Sequence, residues 1–292
     1  MKKKSSLKHT GAFWAFCAPC CILFGVFFLV PLVLSIAFSF TNYDGWKTID
    51  FVGLTNYITL FKDSKFYLSL GRTLLYTVCT LPFRVIIPLL VAVLLCSKRV
   101  AGKSLTRTMV YIPVLMSALV VGITINWMFS QEYGLVNFII RSLGGTALEW
   151  SLNPRLATFV IAFASVWASI GFNMILYIGG INSISNDLYE AATIDGASGV
   201  QAFFRITVPM LAPTTFMVVL LSTVNLLKEY ALVQGITQGG PGLSTTFIIQ
   251  YIFDKGFNQM QYGYASAIST VVMIIFALIA FAQFKVNNGG ET

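Results

Sequence analysis

The chain has 292 residues, of which 57% are hydrophobic and only 10% are charged. Because a soluble domain carries about 25% charged residues, this composition excludes a water-soluble globular protein and indicates a chain that lies in lipid. The formal net charge of +8 would also suit a nucleic-acid-binding protein. The basic residues are concentrated in the N-terminal tail and one short loop, however, so we expect no nucleic-acid partner.

Apolar runs dominate the chain, and six of them reach the length of about 20 residues that a transmembrane helix needs. The first run is too long for a signal peptide and no small-residue cleavage site follows it, so we expect it to be a retained span. The pattern predicts an all-α membrane protein with six transmembrane helices. The predicted spans are residues 12–40, 73–96, 109–129, 157–181, 209–233 and 264–284.

The orientation follows from the basic residues, which collect in segments that stay in the cytoplasm. Because the number of predicted spans is even, both termini should be cytoplasmic. We expect a basic cytoplasmic tail at residues 1–11, a transmembrane domain at 12–285 and a second cytoplasmic tail at 286–292. The segment 182–208 would then be cytoplasmic as well. The basic residues that set this orientation are Lys2, Lys3, Lys4, Lys8, Lys98, Arg99, Lys103 and Arg107.

Neither catalytic nor metal-binding residues are expected in this chain. Residues 101–104 (AGKS) match the end of a phosphate-binding loop, but Ser97 stands where that loop requires a glycine. We therefore expect no ATP site here, so that any energy enters from a partner or an ion gradient. Three cysteines with CxxCC spacing are interpreted as small apolar residues of a helix. They are Cys17, Cys20 and Cys21.

The segment between the fourth and fifth predicted spans is long and patterned. Connections between bundle helices commonly have about 2–8 residues, whereas residues 182–208 are about three times as many. Asn186 or Asp187 can cap a short helix that begins at Leu188. Glycines then interrupt it, and a second short helix leads into the fifth span. The pattern predicts a docking element on the cytoplasmic face.

Residues within this segment suit the close approach of another protein. Ala191, Ala192 and Gly196 are small, and Glu190 and Asp195 supply charges that would orient a partner. The stretch EAATIDGASGVQAFFRITVP resembles the EAA loop of ABC-importer permeases, although Val208 stands in place of the usual leucine. The residues that occupy the positions of this motif are Glu190, Ala191, Ala192, Gly196, Ile206 and Pro209.

Two further stretches are similar to carbohydrate-uptake permeases of the maltose-transporter type. They are TQGGPGLSTT at residues 237–246 and FVGLTNYITLFKDSKFYLSL at residues 51–70. The resemblance covers nearly the whole chain and implies the type I ABC-importer permease fold in the cytoplasmic membrane. It implies that residues 188–209 form a coupling helix seated on an ATPase. It also implies a heterodimer with a second homologous permease, two ATPase subunits or domains that hold ATP and Mg²⁺, and an extracytoplasmic sugar-binding protein.

A polar stripe on the fourth predicted span marks a candidate substrate site. Polar groups within spans usually face a bundle interior or a water-filled cavity. Aromatic rings beside hydroxyl and amide groups suit a sugar, which has an apolar face and many hydroxyls. The stripe consists of Ser165, Ser169, Phe172 and Asn173, with Trp167 beside it, and a second stripe on the fifth span consists of Ser222, Asn225 and Glu229.

The family resemblance implies sugar contacts at many of the same positions. Leu226 stands where the maltose-type permease has an amide, so the hydrogen-bond pattern, and with it the sugar, should differ. The cargo is expected to be a di- or oligosaccharide. The positions implied by the resemblance are Ser165, Ser169, Phe172, Ser222, Asn225, Leu226 and Glu229.

Several alternatives remain open at this level. The serines can instead tighten helix packing, and Glu229 can extend toward the interface. Arg84 lies deep in the second span, where an arginine is costly and marks a pathway or a buried pair. Such a residue would suit an anionic cargo, for example a glycerol phosphate. An ion-coupled secondary transporter would depend on Arg84 and Glu229 alone and would leave segment 182–208 unexplained.

Overall fold

The computed structural model describes residues 6–46, 49–97 and 102–288, with side-chain surroundings for 14–46, 49–97 and 102–286. The basic residues Lys2, Lys3, Lys4, Lys98 and Arg99 lie outside the described residues, as do residues 289–292 of the expected C-terminal tail. The described chain is almost entirely helical, as the hydropathy pattern predicts. Thr41 and Phe51 form an isolated antiparallel bridge.

Fifteen α-helices, joined in places by short π- or 3-10-helical segments, can be labelled within the described residues. In chain order they are α1 (Ser6–Phe24), α2 (Val30–Phe38), α3 (Thr55–Lys62), α4 (Ser64–Cys96), α5 (Lys103–Tyr111), α6 (Ala118–Met128), α7 (Leu135–Ser142), α8 (Pro154–Asn182), α9 (Asn186–Ile194), α10 (Gly199–Ala202), α11 (Val208–Met210), α12 (Ala212–Leu227), α13 (Ala231–Ile236), α14 (Ile248–Phe253) and α15 (Tyr262–Asn288). The connecting segments are π-helical at Gly25–Leu29, Phe203–Thr207 and Asp254–Asn258 and 3-10-helical at Ile112–Leu115.

Two compact units make up the chain. The first combines Met1–Ser64 with Ile252–Ile275, and within it the Tyr264 hydroxyl donates a 2.6 Å hydrogen bond to the Asp63 carboxylate. The second combines Lys65–Tyr251 with Phe276–Thr292. All the residues of the candidate site belong to the second unit.

Four helical stretches of the described residues are long and apolar enough to cross a membrane by themselves. Two further pairs of helices pass the same test only together, because each pair is bent. The pair Lys103–Leu115 and Ala118–Met128 is bent by 101°, and the pair Gly199–Met210 and Ala212–Leu227 by 66°. The number of spans is therefore six if each bent pair counts as one. The four single spans are Trp14–Phe38, Ser64–Cys96, Pro154–Asn182 and Tyr262–Val286.

Hydropathy predicts that the third and fifth spans are continuous helices, whereas the structure bends both of them. In the third span the backbone at Met116 and Ser117 is extended, which separates α6 from the helix before it. In the fifth span Pro209 and Pro213 lack backbone N–H donors, and the helix is interrupted between them at Leu211. Helix α12 then ends at Leu227, so Glu229 lies beyond this helix rather than on its face.

Side-chain caps define several helix starts in the second unit. The Asn153 side chain accepts hydrogen bonds from the N–H groups of Arg155 and Leu156 and so begins α8. Ser185 caps α9 by accepting from the N–H of Asp187, so the prediction of Asn186 or Asp187 as the cap was wrong by one residue or two. In both caps a side-chain oxygen accepts from a backbone N–H group that would otherwise lack a partner.

Two apolar clusters form the core of the second unit. The first cluster includes Tyr76 of α4, Val121 and Ile125 of α6, Ile161 of α8 and Val233 of α13. The second cluster collects side chains near the far ends of α4 and α8 and the start of α12. Its buried members are Ala92, Leu95, Met174, Tyr177, Ile178, Ile184, Leu211 and Val218. Helix α8 contributes to both clusters and is therefore the central helix of this unit.

Helices α6 and α13 cross at a point where both carry glycine. A Cβ atom on Gly122 would lie 2.7 Å from the carbonyl oxygen of Leu232 and 2.9 Å from the Cα of Gly235. A Cβ atom on Gly235 would lie 2.7 Å from the carbonyl oxygen of Leu119. Small residues permit such backbone contact between helices in lipid, where van der Waals packing rather than water exclusion drives association.

We expect Gly122→Ala and Gly235→Ala to destabilise the protein by about 1–3 kcal/mol each, because backbone atoms cannot yield to the added methyl group. The melting temperature of the detergent-purified chain measures this effect. Gly179→Ala on α8 is the matched control, since no atom lies within 4 Å of the place that its added methyl group would occupy. Equal melting temperatures for all three variants would contradict a tight crossing of α6 and α13.

Candidate functional site

A buried polar network joins α4, α8 and α12. The Nη2 of Arg84 donates hydrogen bonds to the Ser165 carbonyl oxygen at 3.1 Å and to the Ser165 Oγ at 2.7 Å. The Nδ2 of Asn173 donates to the Arg84 carbonyl oxygen at 2.9 Å and to the Ser222 Oγ at 3.2 Å. All four side chains are buried, with exposed fractions of 6% or less. The network therefore ties together three helices that are far apart in the chain.

Arg84 is the residue around which this network is arranged. Its guanidinium interacts electrostatically with the side chain of Glu229. The Nε of Arg84 is buried without a hydrogen-bond partner. Since an unpaired charge at membrane depth is costly, the hydrogen bonds to Ser165 offset part of the cost of burying this arginine.

The sequence-predicted substrate residues separate into buried and accessible groups. Ser165, Asn173 and Ser222 belong to the buried network, and Leu226 is fully buried in the first apolar cluster. Trp167 packs against the same cluster. These five side chains are occupied by contacts within the chain.

Phe172 and Asn225 are accessible, and the ring of Phe172 is 42% exposed. Ser169 is half-buried, and its hydroxyl donates a 2.9 Å hydrogen bond to the Val166 carbonyl oxygen of the same helix. Glu229 is also half-buried. An aromatic face on α8 and an amide on α12 are thus accessible.

The segment predicted as a docking element consists of two short helices and a closed turn. Helix α9 ends at Ile194 and is terminated by Gly196 two residues later, whose φ of +76° only glycine adopts without strain. The N–H of Gly196 donates to the Thr193 carbonyl oxygen at 3.1 Å, and that of Ala197 donates to the Ala192 carbonyl oxygen at 2.8 Å. These two bonds form the paired closure of a left-handed helix C-terminus.

The second helix of this segment begins immediately after the turn. The Ser198 N–H donates to the Gln201 Oε1 at 2.7 Å, and the Gln201 N–H donates to the Ser198 Oγ at 3.3 Å, which completes a capping box. On α9 the side chains of Glu190 and Ala191 are exposed, and Ile194 is 87% exposed. The segment therefore presents an ordered but uncovered surface.

Tyr189 anchors α9 to the core. Its hydroxyl is 2.9 Å from the Thr207 Oγ1, and its ring packs with Ile206 against the second apolar cluster. A groove of about 660 Å³ lies along one face of α9 beside Glu190 and Ile194. The exposed surface of α9 is thus attached firmly to α8 and to the bent fifth span.

The stretch at residues 237–246 folds onto α4, a role that the sequence did not reveal. Within this stretch, Thr245 Oγ1 lies 2.7 Å from Thr237 Oγ1 and 2.6 Å from the Gly240 carbonyl oxygen. Arg72 donates to the Leu243 carbonyl oxygen. A charged residue at the start of an apolar run is the one signal that could have identified Arg72 from the sequence.

Comparisons with known proteins agree with this architecture. Residues 54–288 match the family model of the binding-protein-dependent transport system inner membrane component. The arabinooligosaccharides transport system permease protein AraP of Bacillus subtilis is 32% identical over 94% of this chain and 88% of its own length. The lactose transport system permease protein LacF of Rhizobium radiobacter is 32% identical over 93% of this chain and 92% of its own.

Solved structures show the same fold. A bacterial ABC transporter involved in the import of the acidic polysaccharide alginate matches with a TM-score of 0.84 at 24% identity, over 97% of both chains. The same kind of transporter in complex with an alginate pentasaccharide-bound periplasmic protein matches with a TM-score of 0.82 at 23% identity, over 97% of this chain and 96% of that one. By sequence and by fold, the chain belongs to the binding-protein-dependent transport system inner membrane components, the permease subunits of ABC importers.

Proposed function

We propose that this chain forms one half of the membrane pathway of an ATP-driven importer for a di- or oligosaccharide. The observation that carries the proposal is α9 with its closed C-terminus, an ordered and exposed helix anchored to the core by Tyr189. Glu190, Ala191, Ala192, Asp195 and Gly196 would form the contact with a separate ATPase. The permease fold of the related structures supports this assignment.

The remaining subunits of the importer follow from the same proposal. A second homologous permease would complete the pathway, and an extracytoplasmic binding protein would deliver the sugar. Two ATPase subunits or domains would hold ATP and Mg²⁺ and hydrolyse the nucleotide, so that this chain performs no bond chemistry. Both termini and residues 182–208 would face the cytoplasm, where the ATPase is. The binding-protein dependence of the family supports this arrangement.

The cargo is inferred from relatives and from the accessible side chains. Relatives named for arabinooligosaccharide and lactose transport support a short saccharide. The exposed ring of Phe172 can stack on the apolar face of a sugar, while the amide of Asn225 can bind its hydroxyls. Arg84 had suggested an anionic cargo, but it is 6% exposed and bound to Ser165. A neutral sugar is therefore favoured.

Movement of the ATPase would reach the pathway through packed contacts. Tyr189 and Ile206 pack against the second apolar cluster, which contains Met174 and Tyr177 of α8. Close-packed interiors transmit displacement because they resist compression. A shift of α9 would therefore carry α8 with it as a rigid body. Because Asn173 links α8 to α12 through Ser222, both walls of the proposed pathway would move together.

We expect Gly196→Val to reduce sugar uptake by at least about tenfold, because a branched side chain at positive φ costs about 1–2 kcal/mol and would open the end of α9. The measurements are uptake by whole cells and mass spectrometry of what co-purifies with the tagged chain. A second permease and an ATPase should co-purify with the wild type, and the ATPase should be depleted from the variant.

Gly199→Ala provides the matched control, since Gly199 lies in the same segment with no atom within 4 Å of an added methyl group and no positive φ. It should retain uptake and the ATPase. Normal uptake by Gly196→Val, or a wild-type chain that transports in vesicles without ATP, would refute the proposed coupling.

We expect Phe172→Ala and Asn225→Ala each to remove about 1–3 kcal/mol of sugar-binding energy and so to reduce sugar uptake roughly 5- to 150-fold. The transporter complex should still assemble normally. Asn173→Ala is the contrast, because it removes two buried hydrogen bonds and should lower the melting temperature of the complex. Uptake at several sugar concentrations and the amount of co-purified partner distinguish these effects. Loss of assembly in Phe172→Ala would instead indicate that the ring packs against a partner.

A further inference from the structure

A groove of about 730 Å³ lies between α4 and α8. Apolar side chains form its walls, and many of them are exposed, including Leu75 at 65%, Phe83 at 56%, Phe159 at 55% and Phe163 at 45%. None of the residues that line it is acidic. The groove is separate from the buried network and from the exposed surface of α9.

The position of the groove in the membrane follows from helix geometry. Arg84 contacts Ser165 at 2.7 Å, which fixes the relative depth of α4 and α8. At 1.5 Å per residue, Arg72 lies about 18 Å and Arg155 about 15 Å along their helices from that contact. Half of the hydrocarbon thickness is about 15 Å. If Arg84 lies near the midplane, both arginines therefore lie at the level of the lipid phosphates.

The arginine end of the groove has the chemistry of an anion site. Arg155 is exposed and lies in the first turn of α8, where its charge is unfavourable beside the positive end of the helix dipole. Among the described residues, its guanidinium has no hydrogen bond or ion pair with the protein. The Ser244 hydroxyl lines the same groove and is buried without a hydrogen-bond partner. Arg72 supplies a second positive charge.

We propose that this groove binds an anionic phospholipid, with the phosphate at Arg72, Arg155 and Ser244 and one acyl chain along α4 and α8. Charge and polarity change along the groove in the same order as along a lipid, from cations and a hydroxyl at one end to aromatic rings toward the midplane. A sugar would leave most of its hydroxyls opposite apolar rings, and a zwitterionic lipid would bring its own cation to a site that already holds two arginines. The proposal requires only that the chain lie in a membrane, so it does not depend on the identity of the transported sugar.

Cys79 provides a reporter inside the groove, because it is an exposed cysteine that lines it. With the other cysteines replaced by serine, Cys79 in the purified transporter complex is labelled with a bimane fluorophore. The complex is reconstituted in phosphatidylcholine vesicles that contain the same series of mole fractions of acyl-brominated phosphatidylglycerol or of acyl-brominated phosphatidylcholine. Bromine quenches the fluorophore only on contact. The matched control is Val78→Cys in a Cys79→Ala background, because Val78 is 69% exposed on the same helix but does not line the groove.

We expect half-maximal quenching at Cys79 to need a several-fold lower mole fraction of brominated phosphatidylglycerol than of brominated phosphatidylcholine. No such preference is expected at Val78→Cys. Arg155→Gln should reduce the preference about fivefold, since a basic residue near a lipid surface contributes about 1 kcal/mol. Arg72→Gln should reduce it too, although Arg72 also holds the Leu243 carbonyl oxygen. Arg141→Gln, an exposed arginine of α7 outside the groove, should not change it.

Three results would overturn the proposal. Equal quenching by the two lipids at Cys79 would mean that the groove holds ordinary boundary lipid. An equal preference at Val78→Cys would mean that phosphatidylglycerol is merely enriched around the whole protein. Absence of quenching by either lipid, with Val78→Cys quenched normally, would mean that protein covers the groove, and the second permease would be the first candidate.

Discussion

The hydrogen bonds between Arg84 and α8 are the contacts on which the second unit depends. A guanidinium group at this depth requires hydrogen-bond acceptors, and the carbonyl and hydroxyl oxygens of Ser165 provide them. Asn173 then binds the backbone of Arg84 and extends the contact to α12. Because hydrophobic driving force is weak between helices in lipid, a directional polar network of this kind selects one arrangement of α4, α8 and α12 among many that pack equally well. Close glycine contact between α6 and α13 adds a second constraint on the same unit.

The two faces of α8 carry different tasks. One face supplies Ser165 and Asn173 to the buried network, and the opposite region contributes Phe159 and Phe163 to the groove beside α4. Toward its end the same helix supplies Met174 and Tyr177 to the cluster that supports α9. The proposed coupling segment, the proposed sugar pathway and the proposed lipid groove are therefore linked through one rigid element. This link gives a physical reason why lipid composition would influence transport without any contact between lipid and sugar.

Hydropathy alone was sufficient to locate the long helices, because α4, α8 and α15 are apolar over lengths that only a membrane span requires. It could not reveal the bends at Ser117 and Leu211, since hydropathy reports how apolar a segment is and not whether its helix is continuous. The two short helices of residues 182–208 were predictable from the glycines that interrupt them, whereas the docking role of this segment stays a prediction. The partner of Arg84 was not, because Ser165 is 81 residues away and nothing in a single sequence pairs the two. Likewise, the resemblance pointed to Leu226 as a sugar contact, whereas its burial depends on packing that no linear pattern reports.

The closure of α9 has a consequence for how an ATPase would associate with this chain. Its left-handed terminus, the capping box that follows and the Tyr189 anchor are all formed by residues of this chain. The surface is therefore already ordered before any partner arrives, so that little conformational entropy is lost on binding. Association of such a pre-organised surface is limited by diffusion and orientation rather than by folding. An ATPase could dissociate and be replaced by another molecule, and one pool of ATPase could serve several permeases that present the same helix.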